Sequence, residues 1–325
     1  MGTWDIFYKN ILCNSLVTHS DKIVLSISGG MDSMCMLHLF WRLKKKIDVN
    51  LLVVNFNHNI REDSKLEMKI VKSFADKLKI SCIFKEIEVE KYSQKKSISI
   101  ETSGRVLRYS FLKKIAKQNN SNVIATAHNS NDNAETVFMW LLRGSGNFIG
   151  IPMVRQLRKN LTLIRPLLPV NRNLIEEYIE KQKIPFCVDK SNFKDIYTRN
   201  KIRLSLIPIC KDINPMVIEH IFTLSCIRAR EDEYLETIID EHLKQCVKTL
   251  GNKILLDLPM FLRYNKAVMF RILKRILPKK KYNYHIDLIM RKIMLTDMSI
   301  YRFSSDWIFK IESSNMACFV HEKKT

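Results

Sequence analysis

The sequence predicts an α/β fold: a parallel sheet with helices on both faces, followed by a smaller, mainly helical C-terminal domain. Three observations predict it. Four short apolar runs, at residues 23–27, 51–56, 81–87 and 123–126, have the length of buried strands. Segments at 34–46, 63–78, 104–118 and 131–142 carry apolar residues at helical spacing. The first run leads directly into a Ser/Gly turn that opens the first of these helices. Strands separated by such helices pair in parallel. Ligands bind such sheets outside the carboxyl ends of the strands. The turn at 28–33 and the segments after 56 and 126 lie at that edge.

The turn reads Ser28-Gly29-Gly30-Met31-Asp32-Ser33. Glycines let the backbone approach a ligand closely, and a helix N-terminus favours phosphate. Ser28 and Ser33 add hydroxyl donors. Asp32 is the odd member, because a carboxylate beside phosphate repels it. A bridging Mg²⁺ resolves the conflict by taking oxygens from both. The pattern is neither Walker A, lacking the closing Gly-Lys-Ser/Thr, nor GxGxxG. The same six residues also fit a plain Ser-capped Gly-Gly turn with Asp32 in the first helical turn.

From 161 to 215 the chain is punctuated by prolines at 166, 169, 185, 208 and 215, with a short helix at 174–182. A long helical pattern over 217–248 then leads into the second part. The predicted domains are therefore 1–215, carrying the turn, and 216–325. The latter shows a strand-like run at 254–258, helical patterns at 260–277 and 285–294, and strand-like ends at 308–311 and 317–321. Lys279–Lys281 fits a solvated loop or, alternatively, a phosphate contact.

With 325 residues, two domains is the natural expectation. The net charge of +21 points to a polyanionic partner such as nucleic acid, with a lysine-rich composition as the alternative. Residues 1–215 hold 35 Lys and Arg against 20 Asp and Glu, and 216–325 hold 19 against 13, so the excess lies mostly with the turn. The eight cysteines form no CxxC pair, which argues against metal clusters and redox dithiols and for free thiols in a reducing cytoplasm. No stretch is long enough to span a bilayer, and residues 1–10 carry charge without an apolar run of signal length. The expectation is a cytoplasmic protein without membrane contact.

Three further clusters carry chemistry. Ala127-His128-Asn129-Ser130-Asn131-Asp132-Asn133-Ala134-Glu135-Thr136 begins at a strand end. Asp132 and Glu135, three apart, share a helix face and can hold a cation; an Asn/Ser-rich helix cap is the plainer reading. Arg105 and Arg108 are helix neighbours, which alone is a basic face. Asp189-Lys190-Ser191-Asn192 precedes Tyr197-Thr198-Arg199-Asn200-Lys201-Ile202-Arg203, whose arginine forks suit phosphates or form a solvated basic loop.

Taken in order, the residues SGGMDS, Asn57-His58-Asn59-Ile60-Arg61 with Ser64, Arg105 to Tyr109, AHNSNDNAET, LLRGSG at 141–146, Gly150-Ile151-Pro152, Arg165-Pro166-Leu167-Leu168 and YTRNKIR at 197–203 resemble the tRNA(Ile)-lysidine synthetase family. SGGMDS itself resembles the PP-loop of ATP pyrophosphatases. The resemblance covers roughly residues 20 to 215. Asn131 stands where the family usually has Asp, and Asn59 where it has Gly. The chain is read as lacking the extra C-terminal domain of longer members.

The resemblance implies a Rossmann-like PP-loop domain and a two-step ligation on the wobble cytidine of a CAU-anticodon tRNA(Ile). The C2 oxygen attacks the α-phosphate of ATP, pyrophosphate leaves, and the amino group of L-lysine then displaces AMP. It implies ATP contacts at Ser28, Gly29, Gly30, Met31, Asp32, Ser33, Arg199 and Arg203, with Mg²⁺ on Asp32. It implies catalytic roles for Asp32, Arg105, His128, Asp132 and Glu135, with Asp132 and Glu135 receiving lysine. The C-terminal domain would read the tRNA, and a homodimer is one candidate assembly. The rivals are a PP-loop thiolation enzyme, disfavoured by the missing CxxC; a small-molecule PP-loop synthetase, disfavoured by the charge; and a non-catalytic nucleic-acid-binding protein, disfavoured by the intact Asp32 and serines.

Overall fold

The structure is a computed structural model that describes residues 1–57, 63–86, 88–144, 150–187, 198–277 and 282–321. The chain enters on helix α1 (Thr3–Cys13) and alternates through β1 (Lys22–Ser26), α2 (Met31–Lys44), β2 (Asn50–Asn57), α3 (Asp63–Lys77) and β3 (Ser81–Glu86). It continues with α4 (Val89–Lys96), α5 (Ile100–Gln118), β4 (Val123–Ala125), α6 (Ser130–Leu142) and the strands β5 (Val154–Arg158) and β6 (Leu161–Ile164). Helices α7 (Arg172–Gln182), α8 (Thr198–Lys201), a π-helical turn (Ile202–Leu206), α9 (Ile207–Ile213) and the long α10 (Val217–Cys246) follow.

The first six strands form one sheet in the order β3-β2-β1-β4-β6-β5. All pairs are parallel except β5 with β6, an antiparallel pair at the edge. The central strands β1, β2 and β4 are largely apolar because both faces are covered. Ile23 and Leu25 of β1 join one core with Phe7, Met34, Phe40 and Ile175, whereas Val24 joins the opposite core with Leu112 and Ile115. Successive side chains of a strand point to opposite faces, so a single strand feeds both. The segments 145–149 and 188–197, including Asp189 to Asn192 and Tyr197, lie outside the described residues, as do His58 to Arg61 and Lys279 to Lys281.

The chain divides into two compact units, Met1–Arg228 and Ala229–Thr325, the division falling inside α10. The second unit adds β7 (Val247–Leu250), β8 (Lys253–Asp257), α11 (Leu258–Phe261), α12 (Lys266–Ile276), α13 (Tyr282–Met294), β9 (Tyr301–Arg302), β10 (Trp307–Ser313) and β11 (Met316–His321). Its strands form an antiparallel sheet, β7-β8-β11-β10-β9, over a core that includes Phe261, Leu273, Ile289, Phe309 and Phe319. Strand content here exceeds the mainly helical expectation. The runs at 254–258, 308–311 and 317–321 are β8, β10 and β11, and β7 takes residues whose pattern continues the helical one. The helix ends there because Gly251, at φ +58°, turns β7 back onto β8. The expected helix over 260–277 is broken at 262–265, where Asn265 caps α12 by accepting from Val268 N at 3.0 Å.

Phe40 is fully buried and meets Phe7 edge-on at 5.4 Å between ring centroids. Replacing it with alanine leaves a cavity beneath α2, and Phe40→Ala is expected to lower stability by about 3–5 kcal/mol. Leu12→Ala, on the exposed face of α1, is expected to change it by less than about 0.5 kcal/mol. Urea denaturation of the two variants measures the contrast.

Candidate functional site

The loop between β1 and α2 is held by its own side chains. Ser28 N donates to Ser33 Oγ at 3.2 Å, and Ser33 Oγ donates to Gly30 O at 2.8 Å. The two serine hydroxyls lie 3.2 Å apart. From β2, Asn55 Nδ2 donates to Ile27 O at 2.9 Å, and Cys187 N donates to Gly29 O at 2.9 Å. Gly29 has φ +90°, and a Cβ there would meet the Val71 side chain at 3.4 Å, so both conformation and space call for glycine. Gly30 caps α2, placing Met31, Asp32 and Ser33 in its first turn, where backbone amides lack intrahelical acceptors. The expected loop thus opens a helix N-terminus, with Met31 buried in the core behind it.

The second cluster follows β4. Asn129 caps α6: its Oδ1 accepts from Asp132 N at 3.1 Å, and its own N donates to Asp132 Oδ2 at 3.1 Å. This reciprocal pair closes a capping box. The Asn129 amide also reaches across the sheet edge, where Nδ2 donates to Asp32 Oδ1 at 2.9 Å. Asn129 is nearly fully buried and joins the two aspartates that stand in the first turns of separate helices. Burial, followed by the charge of Asp132, pushes the Asp32 carboxyl up to about 6, against the lowering effects of Arg172 and the Asn129 bond.

Asp132 and Glu135 meet the basic segment that follows residue 197. Arg199 Nε donates to Glu135 Oε2 at 2.6 Å and its Nη2 to Asp132 Oδ1 at 3.0 Å. Arg203 Nε donates to Glu135 Oε1 at 2.6 Å and its Nη2 to Glu135 Oε2 at 3.2 Å. The two arginines are one helical turn apart, on α8 and the π-helical turn, and so share a face. The Glu135 side chain is 1% exposed and that of Asp132 19%. Glu135 is therefore the buried hub, and Asp132 is the carboxylate at the accessible edge.

His128 lies between these groups. Its Nδ1 is 3.1 Å from Thr126 Oγ1. Burial, then the charges of Arg165, Arg199, Arg105 and Arg108, push its imidazole down to about 3, so the ring is neutral at working pH. Arg105 stacks over the Tyr109 ring at 5.6 Å. The expected residues Ser28 to Ser33, Arg105, His128, Asp132, Glu135, Arg199 and Arg203 are thus brought to one edge of the sheet. Arg199 and Arg203 sit on the acids rather than facing the loop alone.

Sequence reasoning assigned no role to Asn129, Asn133, Arg165 or Arg172. Asn129 was legible as a cap, but its reach to Asp32 depends on β1 and β4 being neighbours. Asn133 Oδ1 accepts from Ile151 N at 2.7 Å, and its Nδ2 donates to Ser225 Oγ at 3.1 Å. A Cβ on Gly150 would stand 2.1 Å from that same Oδ1, which explains the Gly150-Ile151-Pro152 motif as a close approach onto α6. Arg165 is buried at the end of β6 and donates through Nη1 to Pro152 O. Asn131 Oδ1 accepts from Arg172 N at 3.0 Å, a bond that holds the start of α7 and needs no carboxylate.

Residues 5–210 match the family described as the PP-loop domain. The tRNA(Ile)-lysidine synthase of Thermosipho africanus is 43% identical over 210 residues, 65% of this chain and 48% of that protein. The synthase of Clostridium acetobutylicum is 35% identical over 285 residues, 85% of this chain and 61% of that one. The synthase of Clostridioides difficile is 37% identical over 275 residues, covering 83% and 59%. The chain spans about half to three fifths of the length of these curated relatives. Among solved structures, the U34-tRNA thiolase NcsA from Methanococcus maripaludis with its 4Fe-4S cluster has a TM-score of 0.60 at 17% identity, covering 69% of this chain and 77% of that one. That likeness is one of fold. The match runs through the Ser/Gly loop, the Asn129 cap and both arginines of the acid cluster, and on that ground the chain belongs to the PP-loop domain family.

Proposed function

We propose that this chain is an ATP-dependent ligase that joins L-lysine to C2 of the wobble cytidine of a CAU-anticodon tRNA(Ile), releasing pyrophosphate and AMP. The observation that carries this reading is the Asn129 link, which sets a phosphate-type loop and a carboxylate cluster side by side at one sheet edge. One half suits ATP and the other a cationic amine. The lysidine synthase relatives, 35–43% identical, support the same assignment. We take residues 1–215 as the catalytic domain and 216–325 as a helical linker and tRNA-binding domain. No helix among the described residues is long and apolar enough to cross a membrane, and all eight cysteines are free thiols, in keeping with a cytoplasmic setting.

Asp32 offers a hard carboxylate oxygen at a helix N-terminus that favours phosphate, which fits a Mg²⁺ shared with phosphate oxygens. A metal there would be held by Asp32 and would neutralise phosphate charge, which matters more to phosphoryl chemistry than covalent help. Ser28, Gly29, Gly30 and Ser33 hold the pyrophosphate portion of ATP. Arg105 and neutral His128 face the nucleotide and the target base, His128 as a hydrogen-bonding group rather than a cation. The cytidine C2 oxygen attacks the α-phosphate and the P–O bond to pyrophosphate breaks. The lysine amine then attacks C2, loses a proton, and the C2–O bond to AMP breaks.

The amine attacks only when neutral, and Asp132, the accessible carboxylate, orients it and accepts its proton. Glu135 acts through the arginines: it fixes Arg199 and Arg203, whose positions bound the lysine site. The modified base pairs with A instead of G, so the tRNA reads AUA and carries isoleucine instead of methionine.

The first test follows pyrophosphate release with ATP, lysine and CAU-anticodon tRNA(Ile). Lysine-dependent incorporation into that tRNA supports the reading, and release that needs a sulfur donor or a small acid instead of tRNA overturns it. In this assay Asp132→Asn is expected to raise the KM for lysine about tenfold or more while leaving that for ATP nearly unchanged.

A second expectation concerns Asp32. Its folded-state pKa of about 6 stands above the ordinary carboxylate value of 3.8. The folded protein therefore binds the extra proton, and this contribution to stability is full below about pH 4 and lost as pH rises through about 6. Asp32→Asn is expected to stabilise the protein at pH 7 by on the order of 2 kcal/mol while lowering turnover about 100-fold or more. Thermal unfolding at pH 4 and pH 7 checks the sign, since the gain should vanish at the lower pH.

Glu135→Gln removes one partner of a buried pair and is expected to cost about 3–5 kcal/mol of stability, measured by urea unfolding.

A further inference from the structure

The face of α5 beyond the site borders a groove of about 710 Å³ that none of the assigned residues uses. Leu107, Ser110, Phe111 and Lys114 line it from α5, and their spacing puts them on one helix face. Lys91, Tyr92 and Lys95 come from α4, and Lys85 from the end of the edge strand β3. The floor is apolar and aromatic: Phe111 is half-buried and packs edge-on against Phe56 at 5.5 Å. Lys85 stands over the Phe111 ring at 6.0 Å.

The rim is basic. Glu86 and Glu88 also border the groove, and Glu88 pairs with Lys91 at 2.8 Å on the open surface. Such an exposed pair contributes little and yields readily to a competing anion. Among the described residues, Lys85, Lys95 and Lys114 have no carboxylate within ion-pair distance. Exposed lysines gathered around an aromatic floor give a surface that tracks a phosphate backbone while bases or riboses rest on the rings.

Lys85 and Glu86 end β3 at the same carboxyl edge of the parallel sheet at which β1 and β4 release the loops of the site. Arg105 and Arg108 lie on the same helix, around the axis from the stripe that lines the groove. Phe111 is three residues beyond Arg108, and Lys114 six, or roughly 4.5 and 9 Å along a helix axis. That is the reach of one to two nucleotides. An extended RNA strand whose base sits near Arg105 and His128 would lay its flanking phosphates along this groove.

We propose that the groove between α4 and α5, lined by Lys85, Lys91, Lys95 and Lys114 over Tyr92 and Phe111, binds the sugar-phosphate backbone of the RNA strand flanking the target nucleotide. This rests on the reading of the chain as an RNA-modifying ligase. Sequence discrimination does not arise here, because phosphate contacts position a nucleic acid without reading it.

The test is the binding of a fluorescent CAU anticodon stem-loop to the full chain, by anisotropy over a range of salt, with neither ATP nor lysine present. The double variant Lys95→Glu, Lys114→Glu is expected to bind at least tenfold more weakly. The slope of log Kd against log salt should shrink by about 2, near one per lost phosphate contact. Lys95→Arg with Lys114→Arg should restore both. Both substituted side chains are exposed, and circular dichroism checks that the fold is kept; if the double reversal misfolds, Lys95→Gln and Lys114→Gln singly should each remove about one unit of slope. Unchanged affinity and slope in folded variants would overturn the proposal, as would a wild-type chain that does not bind the stem-loop. Because the readout needs no lysine transfer, loss of binding in the variants combined with no lysine-dependent product would retain the groove and refute the ligase reading alone.

Discussion

The hydrogen bond from Asn129 to Asp32 is the contact on which the site depends, and it is a consequence of strand register. β1 and β4 are parallel neighbours with Leu25 opposite Ala125, so both strands end at the same edge and release their loops side by side. The chain after β1 turns through Gly29 into α2, and the chain after β4 turns through Asn129 into α6. Both helices then start at that edge, and both present their first-turn acids, Asp32 and Asp132, to the same space. Two carboxylates so placed repel each other. The Asn129 amide offsets part of that repulsion by donating to one aspartate while its backbone N–H donates to the other.

The remaining charge is balanced from a distant part of the chain. Glu135 has almost no solvent contact, and an isolated carboxylate there would cost several kcal/mol or shed its charge. Arg199 and Arg203 make that position tolerable with short charge-assisted bonds. In return, two long and otherwise adaptable side chains are locked in place. A π-helical turn at 202–206 sets the two arginines against one carboxylate, and such turns recur at functional sites. Asp132 shares in the network but remains accessible, which separates the two acids by role although they stand one helical turn apart.

Much of this was legible in the sequence because it is local. Strand–turn–helix at 23–43 can be read from an apolar run, two glycines and a periodic segment, and the cap before α6 from Asn129 and Asp132. The illegible parts are those that need tertiary neighbours. The pairings of Arg199 and Arg203 with Glu135 join residues 64 and 68 positions apart, and no spacing rule reports them. The edge hairpin β5–β6 carries no sequence signal because Val154–Arg158 is mostly exposed and polar, without alternation. In the second unit β7 was hidden by a pattern that continues the helix before it, and only Gly251 marks the reversal.

The distribution of charge follows from the substrates that the site would have to hold together. At the carboxylate cluster Asp32, Asp132 and Glu135 stand against Arg172, Arg199 and Arg203, so the half that would take lysine is near neutrality, while Arg105, Arg108 and Arg165 add positive charge on the His128 side and the chain as a whole carries +21. A strongly positive centre would hold ATP and RNA but repel a lysine ammonium; a negative one would do the reverse. Placing the basic surplus outside the centre, as on the lysines of α4 and α5, removes the conflict. Long-range attraction for a polyanion then comes from exposed cations that salt can screen, while the enclosed pairs at Glu135 are screened much less. Affinity for RNA and the geometry of the reacting groups can therefore respond separately to ionic strength, because they are carried by different residues in different dielectric surroundings.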